Sequence, residues 1–260
     1  MSPEKKSKRQ ERRERMRKQE MRTRLLTIGL ITIGALLLVF AVVWPQIKPF
    51  AEVVAVDAGP YPLADRNSMG DPNAPIKIEE FADFQCPFCE RFHKETEPLL
   101  IQYYVETGKV QFVYRSLGNS VSENIANASG TPAKTESQDA ALAAYCAADQ
   151  GKFWEMHAAL YANALGEDAG SYVDRRLKAI AEKAGLNVGE FNSCYNSGKY
   201  EDQIRQDSKD GSEAGVQGTP GFRITYTVNG ETKTVMIDGA QPFSEFQVKL
   251  EAALNEIGAQ

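Results

Sequence analysis

Phe84-Gln85-Cys86-Pro87-Phe88-Cys89-Glu90 sets two cysteines around a Pro-Phe pair where a strand-like run gives way to a helical one. Upstream, Gly70-Asp71-Pro72-Asn73-Ala74-Pro75 is turn chemistry, and Ile76 to Phe84 carries strand patterning. Pro87 suits the first turn of a helix, where a missing N–H costs nothing. Downstream, Phe88, Phe92, Leu99, Leu100, Tyr103 and Tyr104 recur at helical spacing, with a kink expected at Pro98 and a stop at Gly108. Val110 to Tyr114 alternates as a second strand, so a parallel pair joined by a helical crossover is expected.

Beyond this unit the alternation breaks. Gly118 to Ser137 is small and polar and reads as a surface loop; from Gln138 to about Gly215 the pattern is helical, three or four short helices around Cys146, Phe153, Trp154, Tyr161 and Leu177. Strand signals return at Phe222–Val228 and Thr232–Ile237 around an Asn229-Gly230 hairpin turn. Pro242 to Ile257 is an amphipathic closing helix with Phe243, Phe246, Leu250 and Leu254 on one face. The expected class is α/β: a mixed sheet of four or five strands with a helical subdomain inserted at about 116–214.

At the other end, Leu25 to Trp44 is uncharged over its whole length, and its roughly 30 Å as a helix matches the hydrocarbon core of a bilayer. A signal peptide has a shorter basic lead and apolar run, so an uncleaved transmembrane anchor is expected. Met1 to Arg24 holds 11 Lys/Arg against 4 Asp/Glu, a net +7 that leaves −12 for the rest of a chain whose total is −5. With only Lys48 closely following the span, the positive-inside rule puts the N-terminus in the cytoplasm and the remainder outside. The basic tail has no aromatic residue for base stacking, and orienting the span accounts for its charge without nucleic acid. The layout expected is a tail at 1–24, an anchor at 25–44, a linker at 45–69, in which Val53–Val56 could form an edge strand, and a domain at 70–260.

Cysteines spaced C-x-x-C can bind zinc, form a structural bridge, or exchange electrons. Zinc usually takes a second ligand pair; Cys146 and Cys194 are far apart and the chain has two histidines, so no metal is expected. A bridge across two residues constrains little. Exchange fits better, because a thiolate at a helix N-terminus is stabilised by free N–H groups and the helix dipole. Cys86 has that position, and Cys89 is placed one turn in, to attack a mixed disulfide formed at Cys86. Cys146 and Cys194 are expected to bridge each other, the alternative being a second redox relay. His93 reads as a surface helix residue and His157 as packed beside Trp154.

Taken in order, Asp71-Pro72-Asn73-Ala74-Pro75, Cys86-Pro87-Phe88-Cys89, Gln150-Gly151-Lys152-Phe153-Trp154 and Gly218-Thr219-Pro220 resemble the DsbA-like branch of the thioredoxin superfamily, from about Gly70 to Leu254. The resemblance implies a thioredoxin fold interrupted by the helical insertion, and a cis bond before Pro220. Thr219 and Pro220, with Pro87 and Phe88, would receive an extended substrate segment. It further implies that Glu80, six residues before Cys86, accepts the proton of Cys89. Phe88 stands where the best-known oxidases of the branch carry a histidine, and it cannot donate a hydrogen bond to the thiolate.

The function expected is an extracytoplasmic dithiol oxidase acting on secreted or envelope proteins without a cofactor. A quinone-linked membrane partner of the DsbB or vitamin K epoxide reductase type would reoxidise it. An envelope reductase, and a non-catalytic peptide-binding or redox-sensing module, are the alternatives.

Overall fold

A computed structural model describes residues 8–47, 51–57 and 59–258. The first seven residues of the basic tail, and linker residues 48–50 and 58, Lys48 among them, lie outside the described residues. The chain divides into two units, Met1–Ala51 and Glu52–Gln260.

Residues 8–47 of the first unit form one helix, α1 (Lys8–Ile47), that runs without a break from the basic tail through the apolar stretch. It is long and apolar enough to cross a membrane.

The second unit is built on a five-stranded mixed sheet in the order β1-β3-β2-β4-β5, from β1 (Ser68–Met69), β2 (Ile76–Ala82), β3 (Val110–Ser116), β4 (Gly221–Val228) and β5 (Glu231–Asp238). Strand β2 lies at the centre, parallel to β3 with Ile76 opposite Val110 and Ala82 opposite Ser116, and antiparallel to β4. Nearly every side chain of β2 is buried, as a strand covered on both faces requires. Asn229 and Gly230 both take positive φ, 53° and 81°, the backbone that a two-residue hairpin needs between β4 and β5.

The crossover from β2 to β3 is α2 (Pro87–Glu95), α3 (Glu97–Leu100) and a wide π-type turn at Ile101–Val105. Pro98 cannot donate into a preceding helix, and the helix is interrupted at Thr96. Phe92 of α2 packs on Phe112 and Phe222 of the sheet and on Phe246 of the closing helix α10 (Phe243–Gly258). Between β3 and β4 lie α4 (Ser120–Ser129), α5 (Glu136–Ala148), α6 (Phe153–Ala162), α7 (Asp174–Lys183), α8 (Val188–Asn196) and α9 (Glu201–Glu213). The last of these packs against β2 and β3. A disulfide joins Cys146 of α5 to Cys194 of α8, with Cα atoms 5.7 Å apart.

Three expectations are corrected. The polar stretch 118–137 is not all loop: α4 buries Val121, Ser122 and Ala126 and ends at Gly130 in the left-handed conformation, an apolar face too short for periodicity to reveal. The helices from 138 to 215 number five. The edge strand is Ser68–Met69, not Val53–Val56, whose backbone is held by a side chain: Val54 N–H donates to Asn163 Oδ1 (2.9 Å) and Asn163 Nδ2 donates to Val54 O (3.0 Å). With Met69 fully buried and Trp154 Nε1 donating to Ser68 O at 3.0 Å, the C-terminal part of the expected linker is packed into the domain.

Candidate active site

The end of β2 is tied down before the cysteines begin. Asp83 accepts from the N–H groups of Gln85 (2.9 Å) and Val121 (3.0 Å), and the Asp83 carbonyl accepts from Cys86 N–H (3.0 Å). The Gln85 amide donates to Ser122 and Ser137, both at 2.8 Å, and its carbonyl accepts from Asp168 N–H. The strand end is thereby bonded to α4, α5 and the loop before α7. Nothing in the sequence pattern singles out Asp83 or Gln85 for this.

Cys86 then occupies the position just before the first turn of α2, with extended backbone (φ −73°, ψ 120°) and Pro87 in the turn. Pro87 and Phe88 are exposed, whereas Cys86 is 5% exposed and Cys89 fully buried. The Thr219-Pro220 bond is cis, and in its thiol form Cys86 donates to the Thr219 carbonyl at 3.3 Å. The two motifs, far apart in sequence, meet at this sulfur.

The two thiols are driven apart in acidity. Hydrogen bonding from the Cys89 thiol, together with the helix-terminal N–H groups of Phe88 and Cys89, outweighs burial and brings Cys86 from 9.0 down to about 6. Burial, then the Cys86 charge and hydrogen bond, push Cys89 well up. One sulfur is poised as a thiolate and the other held as a thiol.

Adjacent glutamates on β2 have opposite fates because strand side chains alternate. Glu79 faces α9, where it accepts from Arg115 (3.1 Å) and Arg223 (2.8 Å), while Asp207 takes the other arm of Arg115 at 2.7 Å. Against the cost of burial, Lys77 and the two arginines hold Glu79 below the usual carboxylate range. Glu80 shares the other face with its neighbours Tyr114 and Phe222. It is 1% exposed, its Oε2 has no hydrogen-bond partner among the described residues, and burial with the charges of Glu97 and Cys86 raises it far above an ordinary carboxyl.

Below the thiols lies a cluster of rings. His157 is fully buried, edge-on to Phe84, Tyr114, Tyr161 and His93 at 5.0–5.5 Å, and neither of its nitrogens has a partner among the described residues. His93 is not the surface residue expected: its ring stacks on Tyr161 at 5.0 Å and its Nδ1 is 3.1 Å from Glu97 Oε2. His93, Glu97 and His157 thus bring three ligand-type atoms within 4.8 Å of one another.

A thiol pair of unequal acidity at a helix N-terminus, faced by a cis-proline loop on a sheet carrying a large helical insertion, defines the DsbA-like class of thioredoxin-fold proteins. The chain belongs to the thioredoxin family, whose model, described as Thioredoxin, matches residues 64–247. The oxidised BdbD of Bacillus subtilis superposes with a TM-score of 0.59 at 18% identity, over 77% of this chain and 98% of that one. A protein of Bacillus anthracis named a probable disulfide bond formation protein D is 25% identical over 63% of this chain and 71% of its own length. The Na(+)/H(+) antiporter NhaA 3 of Salinispora tropica is 32% identical over 64% of this chain, a match spanning only 22% of the antiporter.

Proposed function

We propose that the chain is a membrane-anchored thiol-disulfide oxidoreductase that introduces disulfides into secreted or envelope proteins. The observation that carries the reading is the split acidity of the dithiol, with Cys86 brought to about 6 and Cys89 pushed up. Likeness to a protein named for disulfide bond formation supports it.

In the oxidised form a substrate thiolate attacks Cys86 Sγ, and the Cys86–Cys89 bond breaks. Cys89 leaves with the electron pair and takes a proton from Glu80. A second substrate thiolate attacks the substrate sulfur of the mixed disulfide, and Cys86 leaves as a thiolate. The substrate has lost two electrons to the protein. Reoxidation reverses the roles: Cys86 attacks a disulfide of a quinone-linked membrane partner of the DsbB or vitamin K epoxide reductase type, and Cys89, giving its proton to Glu80, resolves it. A low-pKa leaving thiolate favours electron flow into the protein. Thr219, Pro220, Pro87 and Phe88 form the docking surface, and the Cys146–Cys194 bridge is structural. The helix at 25–44 anchors the protein with its N-terminus in the cytoplasm and residues 70–260 outside.

The deciding measurement is the potential of the Cys86/Cys89 couple. An oxidase lies nearer the roughly −120 mV of DsbA than the roughly −270 mV of thioredoxin; a value at the thioredoxin end assigns a reductase. Equal rates of oxidative refolding of a reduced test protein by the parent and Cys86→Ala would remove catalysis altogether.

A further inference from the structure

The two histidines of the chain, too few and too distant in sequence to suggest a metal, are brought together by the fold. His93 lies on α2 one turn past Cys89, Glu97 opens α3, and His157 comes from α6. We propose that these three side chains form a binding site for a divalent cation of the zinc class, two imidazoles and a carboxylate with the fourth position open.

Donor chemistry and geometry carry this assignment. Two nitrogens and one oxygen suit zinc, which commonly takes three protein ligands of these types and leaves one position free. Zinc bonds of about 2.0–2.1 Å put tetrahedral ligand atoms roughly 3.3 Å apart. The three atoms here already lie within 4.8 Å of one another, so side-chain rotations of an ångström scale close the set. His157 is the independent sign that something belongs there. It is 0% exposed and neither ring nitrogen is hydrogen-bonded among the described residues, whereas buried polar groups as a rule have partners. Both imidazoles are held by neighbours, His93 against Tyr161 and His157 edge-on to Trp154. Glu97 is buried too, its Oε2 3.1 Å from His93 Nδ1.

Two of the three ligands, His93 and Glu97, are reached from the surface. A cleft of about 550 Å³ is lined by Tyr61, His93, Glu97, Ile101 and Ala158. The cation at its rim, Lys94, is paired with Glu90 and does not compete for Glu97. The cation would clamp the helix that carries the thiols to α6 and leave Cys86 and Cys89 free. The proposal is independent of the direction of electron flow.

The test uses the untagged full-length protein in detergent, oxidised so that Cys86 and Cys89 cannot ligate. Cobalt(II) is titrated in while its visible d–d bands are followed, and zinc then displaces it. One equivalent binding with tetrahedral bands is expected, weakened at least about tenfold in Glu97→Gln and in His93→Gln, since even a partner behind a metal ligand is worth about 10–100-fold. Both variants must keep the metal-free parent's circular dichroism and melting. His157→Ala, which empties a buried position, is expected to lose both binding and stability, so Glu97→Gln decides. No saturable binding, or the same affinity in Glu97→Gln as in the parent, overturns the site.

Discussion

Cys86 titrates just below neutrality, and the consequence can be worked out in sign. In the reduced protein its folded value, about 6, lies below the ordinary 9.0. Its contribution to stability is therefore complete above 9 and is lost as pH falls through 6. The oxidised protein has no such group. The stability of the reduced form relative to the oxidised should thus rise between pH 6 and 9, read as an upward shift of the reduced form's denaturant midpoint relative to that of the oxidised form. Alkylation of Cys86 should follow the same thiolate with a midpoint near 6, while Cys89 stays unreactive until the protein unfolds. Phe88, 54% exposed and covered on one side by the Arg91 guanidinium, is the tuning position. Phe88→His supplies a donor to the thiolate, lowers Cys86 further and stabilises the reduced form. Each pKa unit is about 1.4 kcal/mol, so the couple should become about 30 mV more oxidising per unit, measured against glutathione. The roles proposed for Cys86 and Cys89 were readable from spacing alone, whereas Glu80 was readable only through resemblance, because a β-strand carboxylate gives no local sign of burial. The meeting of His93 with His157 could not be read, since it depends on how α6 docks beside α2.

At the scale of elements, the sheet and its hairpin were legible because period-two patterning and Asn229-Gly230 are local signals. The edge strand and α4 were not, because both are fixed by what they pack on. Helix α9 shows the same dependence. A Cβ on Gly211 would come within 2.6 Å of Leu117 and 2.9 Å of Phe81, so the glycine lets the helix approach β2 and the segment after β3. Gly211→Ala gains the roughly 1 kcal/mol that alanine has over glycine in a helix and pays an overpacking cost of about 1–3 kcal/mol. Net destabilisation is expected in chemical denaturation, against the usual sign for such a change. The bridge between α5 and α8 closes a separation of 48 residues, worth about 4 kcal/mol in the chain-entropy model. Replacing Cys146 and Cys194 together by alanine should lower stability by about 2–4 kcal/mol and leave the Cys86/Cys89 potential unchanged. A shifted potential would make the bridge a redox relay.

For the whole molecule, charge and sulfur chemistry point to the same orientation by separate routes. Met1–Arg24 carries net +7 and precedes the apolar run, the charge pattern for which the positive-inside rule predicts a cytoplasmic N-terminus. Independently, the second unit holds a disulfide between α5 and α8, and such bonds persist on the oxidising side of a membrane, where a cytosolic glutathione pool does not reduce them. Neither argument uses the other's residues. Intact spheroplasts treated with protease from outside should therefore lose epitopes within residues 70–260 while an epitope at the N-terminus stays protected. Mass spectrometry of the mature protein should still find the residues 25–44. Cleavage after the span would turn the anchor into an export signal and release the domain, and protection of the C-terminal epitopes would place the dithiol in the cytoplasm. In that second case the same Cys86 thiolate would face a reducing pool, and its low pKa would serve electron transfer from that pool rather than disulfide formation.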